Sequence, residues 1–143
     1  MSGEVRIKGN SSQSAGATGH GGLLIIEKNA SSRCGISMKG IDIVVKGDVG
    51  HMSAFMAQAG NLVVCGNAGN HLGDSIYEAV LYVKGNCNEL GADCIEKEMD
   101  KLHLEKLEKL LDRAKINEDP KKFRRYGSAR TLYNFNIDNI GQY

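Results

Sequence analysis

One short phrase returns five times along this chain at a fixed step of 19 residues: Ile7-Lys8-Gly9-Asn10, Ile26-Glu27-Lys28-Asn29, Val45-Lys46-Gly47-Asp48, Val64-Cys65-Gly66-Asn67 and Val83-Lys84-Gly85-Asn86. An unbroken period of that length is the mark of a stacked solenoid, so it restricts the fold before any single segment is read. Two residues before the Gly column stand Ile7, Ile26, Val45, Val64 and Val83, and two further back Val5, Leu24, Ile43, Leu62 and Leu81. All are aliphatic. Alternation with period 2 makes them the inward face of a short strand, with strands of successive coils pairing in parallel.

The columns that follow are Gly9, Lys28, Gly47, Gly66 and Gly85, then Asn10, Asn29, Asp48, Asn67 and Asn86. Gly and Asx tolerate left-handed angles or bond their own backbone, so a corner is expected here in every coil. Lys28, standing where the glycine is expected, implies that its corner keeps negative φ or is locally remodelled. Gly16, Gly35, Ala54, Gly73 and Ala92 mark a second corner that excludes large side chains. A coil of 19 residues is too short for a βαβ unit, and the Leu-x-x-Leu-x-Leu pattern of leucine-rich repeats is missing. The expectation is an all-β parallel β-helix of about five coils, roughly 24 Å tall at about 4.8 Å per layer.

The outward strand column, Arg6, Ile25, Val44, Val63 and Tyr82, is apolar at every position but the first. A free-standing solenoid should be polar there, so either a helix of this chain or a second subunit covers it, and we take the helix. From Asp100, a plausible N-cap, the pattern turns helical over about 101–115, with Leu104, Leu107, Leu111 and Ala114 at helical spacing and Met99 and Leu104 placed as a hydrophobic staple. The helix lies on the solenoid or caps its last coil, whose open edge otherwise invites aggregation. Asp119-Pro120 breaks the chain. Lys121-Lys122-Phe123-Arg124-Arg125-Tyr126 then leads to an apolar tail, Leu132-Tyr133-Asn134-Phe135-Asn136-Ile137, that reads as a docking segment. The organisation is 1–96 for the β-helix and 97–143 for the C-terminal helix and docking tail, in one structural unit.

Chemistry is not signalled. Gly66-Asn67-Ala68-Gly69-Asn70-His71-Leu72-Gly73 follows a strand but lacks the helix a phosphate loop requires, and Gly47-Asp48-Val49-Gly50 fills the same corner one coil earlier, so it reads as a corner. His20, His51, His71 and His103 occupy different columns without an i, i+4 partner, against a zinc site. Cys34, Cys65, Cys87 and Cys94 match no CxxC pair and no iron–sulfur run, and read as reduced thiols of a cytoplasmic protein. No apolar stretch approaches 18 residues and no signal peptide is evident. A net charge of +1 argues against a dedicated nucleic-acid or membrane binder. The basic cluster Lys121, Lys122, Arg124, Arg125 and Arg130 adjoins Glu118 and Asp119, so it reads as a solvated loop or docking segment. No catalytic, cofactor-binding or metal-binding residue is expected on this chain.

The corner runs resemble a known family. Cys34-Gly35-Ile36-Ser37-Met38-Lys39-Gly40, Val44 to Gly50 and Val63 to Ser75 are similar to the glycine-repeat (GXGXG) domain found at the C-terminal end of the glutamate synthase large subunit and in one of the non-catalytic subunits of formylmethanofuran dehydrogenase. Gly91-Ala92-Asp93 and Arg130-Thr131-Leu132-Tyr133-Asn134-Phe135 look most like the stand-alone subunits of archaeal-type glutamate synthase and N-methylglutamate synthase. The resemblance implies a right-handed parallel β-helix acting as a non-catalytic structural subunit of an amidotransferase and FMN oxidoreductase complex in glutamate and nitrogen metabolism. Its partners would be an FMN-binding synthase subunit and a glutamine amidotransferase subunit, with FMN and an iron–sulfur cluster carried by those partners and none by this chain; a homo-oligomer is also open. The alternatives are a scaffold in a formylmethanofuran dehydrogenase-type complex and an independent β-helix protein with its own ligand. Relatives have more sequence before the first coil, so either the chain is a shortened form or its exposed first layer is an interface.

Overall fold

The computed structural model describes residues 3–12, 15–16 and 18–130. The chain is a parallel β-solenoid of about four turns with one C-terminal helix. Strands β1 (Glu4–Ile7), β2 (Leu23–Ile26), β3 (Lys39–Val45), β4 (Ala59–Val64) and β5 (Val80–Val83) pair in parallel in that order. Leu24, Ile43, Leu62 and Leu81 lie in one register row, and Ile26, Val45, Val64 and Val83 in the next. The 19-residue step is thus the literal pairing register. The inward rows are fully buried from Ile43 onward, with Met38, Leu72 and Ile76 filling the interior from the other walls. A second wall pairs at the isolated bridges Val49 with Ala68 and Ala68 with Cys87.

The outward column is covered by the chain itself. Helix α1 (Lys101–Ala114) buries Leu107, Leu110, Leu111 and Ala114 against Leu23, Ile25, Val44, Val63 and Tyr82, joined by Ile116 and Phe123. Asp100 caps its start by accepting the His103 N–H at 2.9 Å. Met99 packs on this outer cluster, whereas Leu104 is half-buried. The apolar stripe therefore begins one turn later than the spacing suggested and takes in Leu110.

The helix runs back along the stack. Asp100 lies 3.7 Å from Arg125 at the far end, and the Ala114 carbonyl accepts from Arg6 Nη2 of β1 at 2.6 Å. This explains the one polar member of the outward column: Arg6 meets the helix C-terminus, whose unpaired carbonyls and negative dipole end favour a cation. Its Nη1 also bonds Glu27 at 2.8 Å.

The cap on the last coil is not the helix but a strand. Past a 3₁₀ turn at Pro120–Lys122, the basic segment expected as a solvated loop or docking segment runs into β7 (Arg124–Ser128), antiparallel to β5. It also pairs with β6 (Cys94–Lys97), giving the order β1-β2-β3-β4-β5-β7-β6. Tyr126 enters the solenoid interior while Arg125 lies on the opposite face. The apolar tail expected to dock lies outside the described residues.

Candidate docking surface

The corner after each strand works differently from the sequence expectation. Gly9, Gly47, Gly66 and Gly85 keep φ outside the left-handed region, and so does Lys28, as its side chain requires. Gly47, Gly66 and Gly85 are needed because coils approach closely, whereas a Cβ on Gly9 would meet nothing within 4 Å. A Cβ on Gly66 would strike the Asp48 carboxylate and lie 2.7 Å from the Gly47 carbonyl oxygen, and Gly47 and Gly85 would meet Asn29 and Asn67 in the same way. The Asx side chains do not bond their own backbone. Asn10 Oδ1 accepts the Asn29 N–H at 2.9 Å, Asn29 Oδ1 the Asp48 N–H at 2.7 Å, Asp48 Oδ1 the Asn67 N–H at 2.7 Å and Asn67 Oδ1 the Asn86 N–H at 2.8 Å. This is a directional ladder in which every coil donates to the one before it.

Left-handed backbone occurs instead at the second corner of the first four coils, whereas Ala92, expected at that corner in the fifth, keeps φ outside the left-handed region. Gly16, Gly35, Ala54 and Gly73 have φ between 60° and 74°, flanked at two-residue distance by Arg33, Met52 and His71 and by Ser37, Met56 and Ser75, all left-handed as well. Small residues are required there because the corner turns inward: a Cβ on Gly73 would lie 2.7 Å from Cys94 Sγ.

The candidate chemical groups are dispersed. His103 Nδ1 is 2.7 Å from Asp100 Oδ1 at the helix cap, His71 Nδ1 is 3.7 Å from Glu89, and His20 and His51 are exposed. Among the described residues no three His, Cys, Asp or Glu side chains converge as a metal site, and no helix is long and apolar enough to cross a membrane. Gly66 to Gly73 lies on the stack as a corner, bridged to its neighbours through Ala68 and Leu72. Burial pushes the Cys34, Cys65 and Cys94 thiols up to about 12, and it also raises Cys87 beside Tyr126. Thiols so held are poor nucleophiles.

The basic segment is engaged within the molecule. Arg125 Nε donates to the Glu98 carbonyl at 2.7 Å. Arg130 bonds Asp93 at 3.0 Å and stacks 5.3 Å over the Tyr77 ring. Together with Lys97 and Glu78 these residues line a recess of about 260 Å³. Sequence reasoning offered a docking segment here but not a strand, because charged residues do not spell one, and Lys121, Lys122 and Arg124 remain exposed.

The N-terminal end of the stack is different. Val5 is 60% exposed although it stands in the inward column, and with Gly3, Glu4, His20, Leu23, Leu24 and Ile41 it lines a largely apolar recess of about 430 Å³. No strand among the described residues pairs with the outer edge of β1. Among the described residues one end of the solenoid is closed and the other is uncovered, and the uncovered end is the candidate functional surface.

No family model matches the chain, and no solved structure matches it. It is similar to Protein GlxC of Rhizobium meliloti (strain 1021), with 65% identity over 96 residues that make up 66% of this chain and 42% of that protein. The chain spans about two fifths of the length of the curated relative it matches.

Proposed function

We propose that this protein is a non-catalytic structural module of a glutamate-synthase-like complex, one that holds an FMN-binding synthase part and a glutamine amidotransferase part in their mutual arrangement. The observation that carries the reading is the asymmetry of the stack. β7 is inserted against β5 to close one end, while no described residue covers the strand edge and apolar recess at the other. Unpaired edges are a liability in a free monomer and a natural seat in an assembly. The 19-residue glycine corners support the choice of complex through their resemblance to the GXGXG domain. The buried, weakly acidic thiols and dispersed histidines agree with a module that leaves the chemistry to its partners. In this reading FMN and the iron–sulfur cluster reside on those partners, and the module works in the cytoplasm.

Gentle purification of the chain from its native cell, followed by a visible spectrum and mass spectrometry of what co-elutes, tests the proposal. Flavin absorbance together with a glutaminase chain is the expected result. A colourless chain eluting alone would overturn it.

A further inference from the structure

We infer that the recess on the outer face of β5, β7 and β6 binds a small α-amino acid as its zwitterion, with the carboxylate held between Lys97 and Arg125 and the ammonium by Glu78. Every group in this site belongs to the chain itself, so the site does not depend on the scaffold reading.

Lys97 of β6 and Arg125 of β7 are direct partners in the antiparallel register, and both line the recess. Side chains opposite each other on two strands share a face, and like charges so placed repel. Arg125 is partly offset: its Nε donates to the Glu98 carbonyl and its Nη2 lies 3.7 Å from Asp100, which leaves other guanidinium donors for a ligand. The Lys97 ammonium has neither an ion pair nor a hydrogen bond among the described residues. A carboxylate set between the two cations replaces their repulsion with charge-assisted hydrogen bonds.

The rest of the recess is shaped for more than an anion. Gly127 lies on the same face as Arg125, two residues on, and contributes no side chain. The stem of Lys97 runs over it, with Cδ and Cε 3.5 Å from where a Cβ would stand and Nζ at 3.8 Å. Arg130 is tied to Asp93 at 3.0 Å and covers the Tyr77 ring, so its charge is already answered. Glu78, beside Tyr77, is the one carboxylate that lines the recess, and it too makes no ion pair among the described residues.

An unpaired ammonium and an unpaired carboxylate therefore line one recess without meeting each other. A simple anion placed there is opposed by Glu78, and a simple cation by Lys97 and Arg125. A molecule that carries both charges a few bonds apart satisfies all three, and a primary ammonium brings the N–H donors that Glu78 accepts. The volume of about 260 Å³ equals that of about nine waters at ~30 Å³ each, which suits an amino acid and excludes a nucleotide or a folded peptide.

The test titrates the full chain, labelled with ¹⁵N, with L-alanine, L-serine and L-glutamine and follows the amide shifts. At least one of the three is expected to give saturable shifts at Glu78, Lys97 and Gly127 while Val64 and Val45 stay in place. Propionate, which is alanine without its ammonium, and ethylamine, which is alanine without its carboxylate, should each bind at least about tenfold more weakly than that amino acid. Lys97→Gln and Glu78→Gln should each weaken the amino acid by at least about tenfold, the worth of one hydrogen bond to a charged group. Without ligand Lys97→Gln relieves a like-charge pair and should melt no lower than the parent, so lost binding is not lost folding. No saturable shift at these amides with any of the three amino acids would overturn the inference. Propionate binding as tightly as the amino acid would overturn it in favour of a plain anion site. Neither outcome bears on whether a flavin and a glutaminase co-elute, so the scaffold reading stands or falls separately.

Discussion

Asn67 holds two coils at once: its N–H is accepted by Asp48 Oδ1 below and its side-chain Oδ1 accepts from the Asn86 N–H above, at 2.7 and 2.8 Å. Asn67→Ala is expected to destabilise by about 1 kcal/mol through the lost bond, whereas Asp48→Asn, which keeps the accepting oxygen, should melt close to the parent. Gly66→Val forces a side chain into the Asp48 carboxylate and the Gly47 backbone, and should cost at least about 1–3 kcal/mol as an overpacking change. Val64→Asp places an unpaired carboxylate in a fully buried row and should cost several kcal/mol. Tyr82 offers the opposite sign. Its hydroxyl is buried with no hydrogen-bond partner among the described residues, so Tyr82→Phe should gain about 1 kcal/mol. Denaturant midpoints at constant m-value check all five, and parental melting of Val64→Asp would mean the register is wrong.

At the scale of the element, α1 stands on side chains rather than on propensity. Leu107 is wholly enclosed between the helix and the sheet, and Leu107→Ala should cost about 2–5 kcal/mol. If the cost is near zero, the helix does not dock on the sheet through this residue. This element was legible in the sequence: an apolar outward column needed a cover, and Asp100 followed by leucines at helical spacing offered one. The strands were legible for the same reason, since a period repeated in register leaves one pairing. β7 was not. Arg124-Arg125-Tyr126-Gly127-Ser128 has no clean alternation, and it is a strand because β5 and β6 leave a slot between them, a tertiary cause that local composition does not carry. The corners were read correctly in place but not in mechanism. Gly66 and Ala54 both look like turn residues, and only coordinates show that the first answers to close approach and the second to φ. The Asx ladder was equally hidden, because a side chain bonding its own turn and one bonding the next coil have the same sequence.

For the whole molecule the sequence indicated a stack but not which end is finished, and the open end is where the proposed function resides. The enclosed thiols give the stack a pH signature. Cys34, Cys65 and Cys94 ionise near their ordinary value of 9.0 when unfolded but only at about 12 when buried. The folded state therefore keeps protons that the unfolded state has released. Stability is full below about pH 9 and should decline as pH rises toward 12. Chemical denaturation at a series of alkaline pH values reads this directly, and Cys34→Ala should flatten part of the decline. A stability that stays level over that range would mean these thiols are not enclosed.

The helix that runs back from Asp100 to Arg6 also counts. Its 14 residues span about 21 Å at about 1.5 Å each, close to the ~19 Å between the first and last of five strands set about 4.8 Å apart. α1 is a gauge cut to the five strands of the stack, its end meeting Arg6 of β1 where the apolar outer column stops. Each layer added beneath it would call for about three more helical residues, so the chain cannot grow by repeat duplication alone without also lengthening its lid. Anything that stacks in front of β1 stands beyond the end of the gauge and must bring a polar outer face, or a cover, of its own.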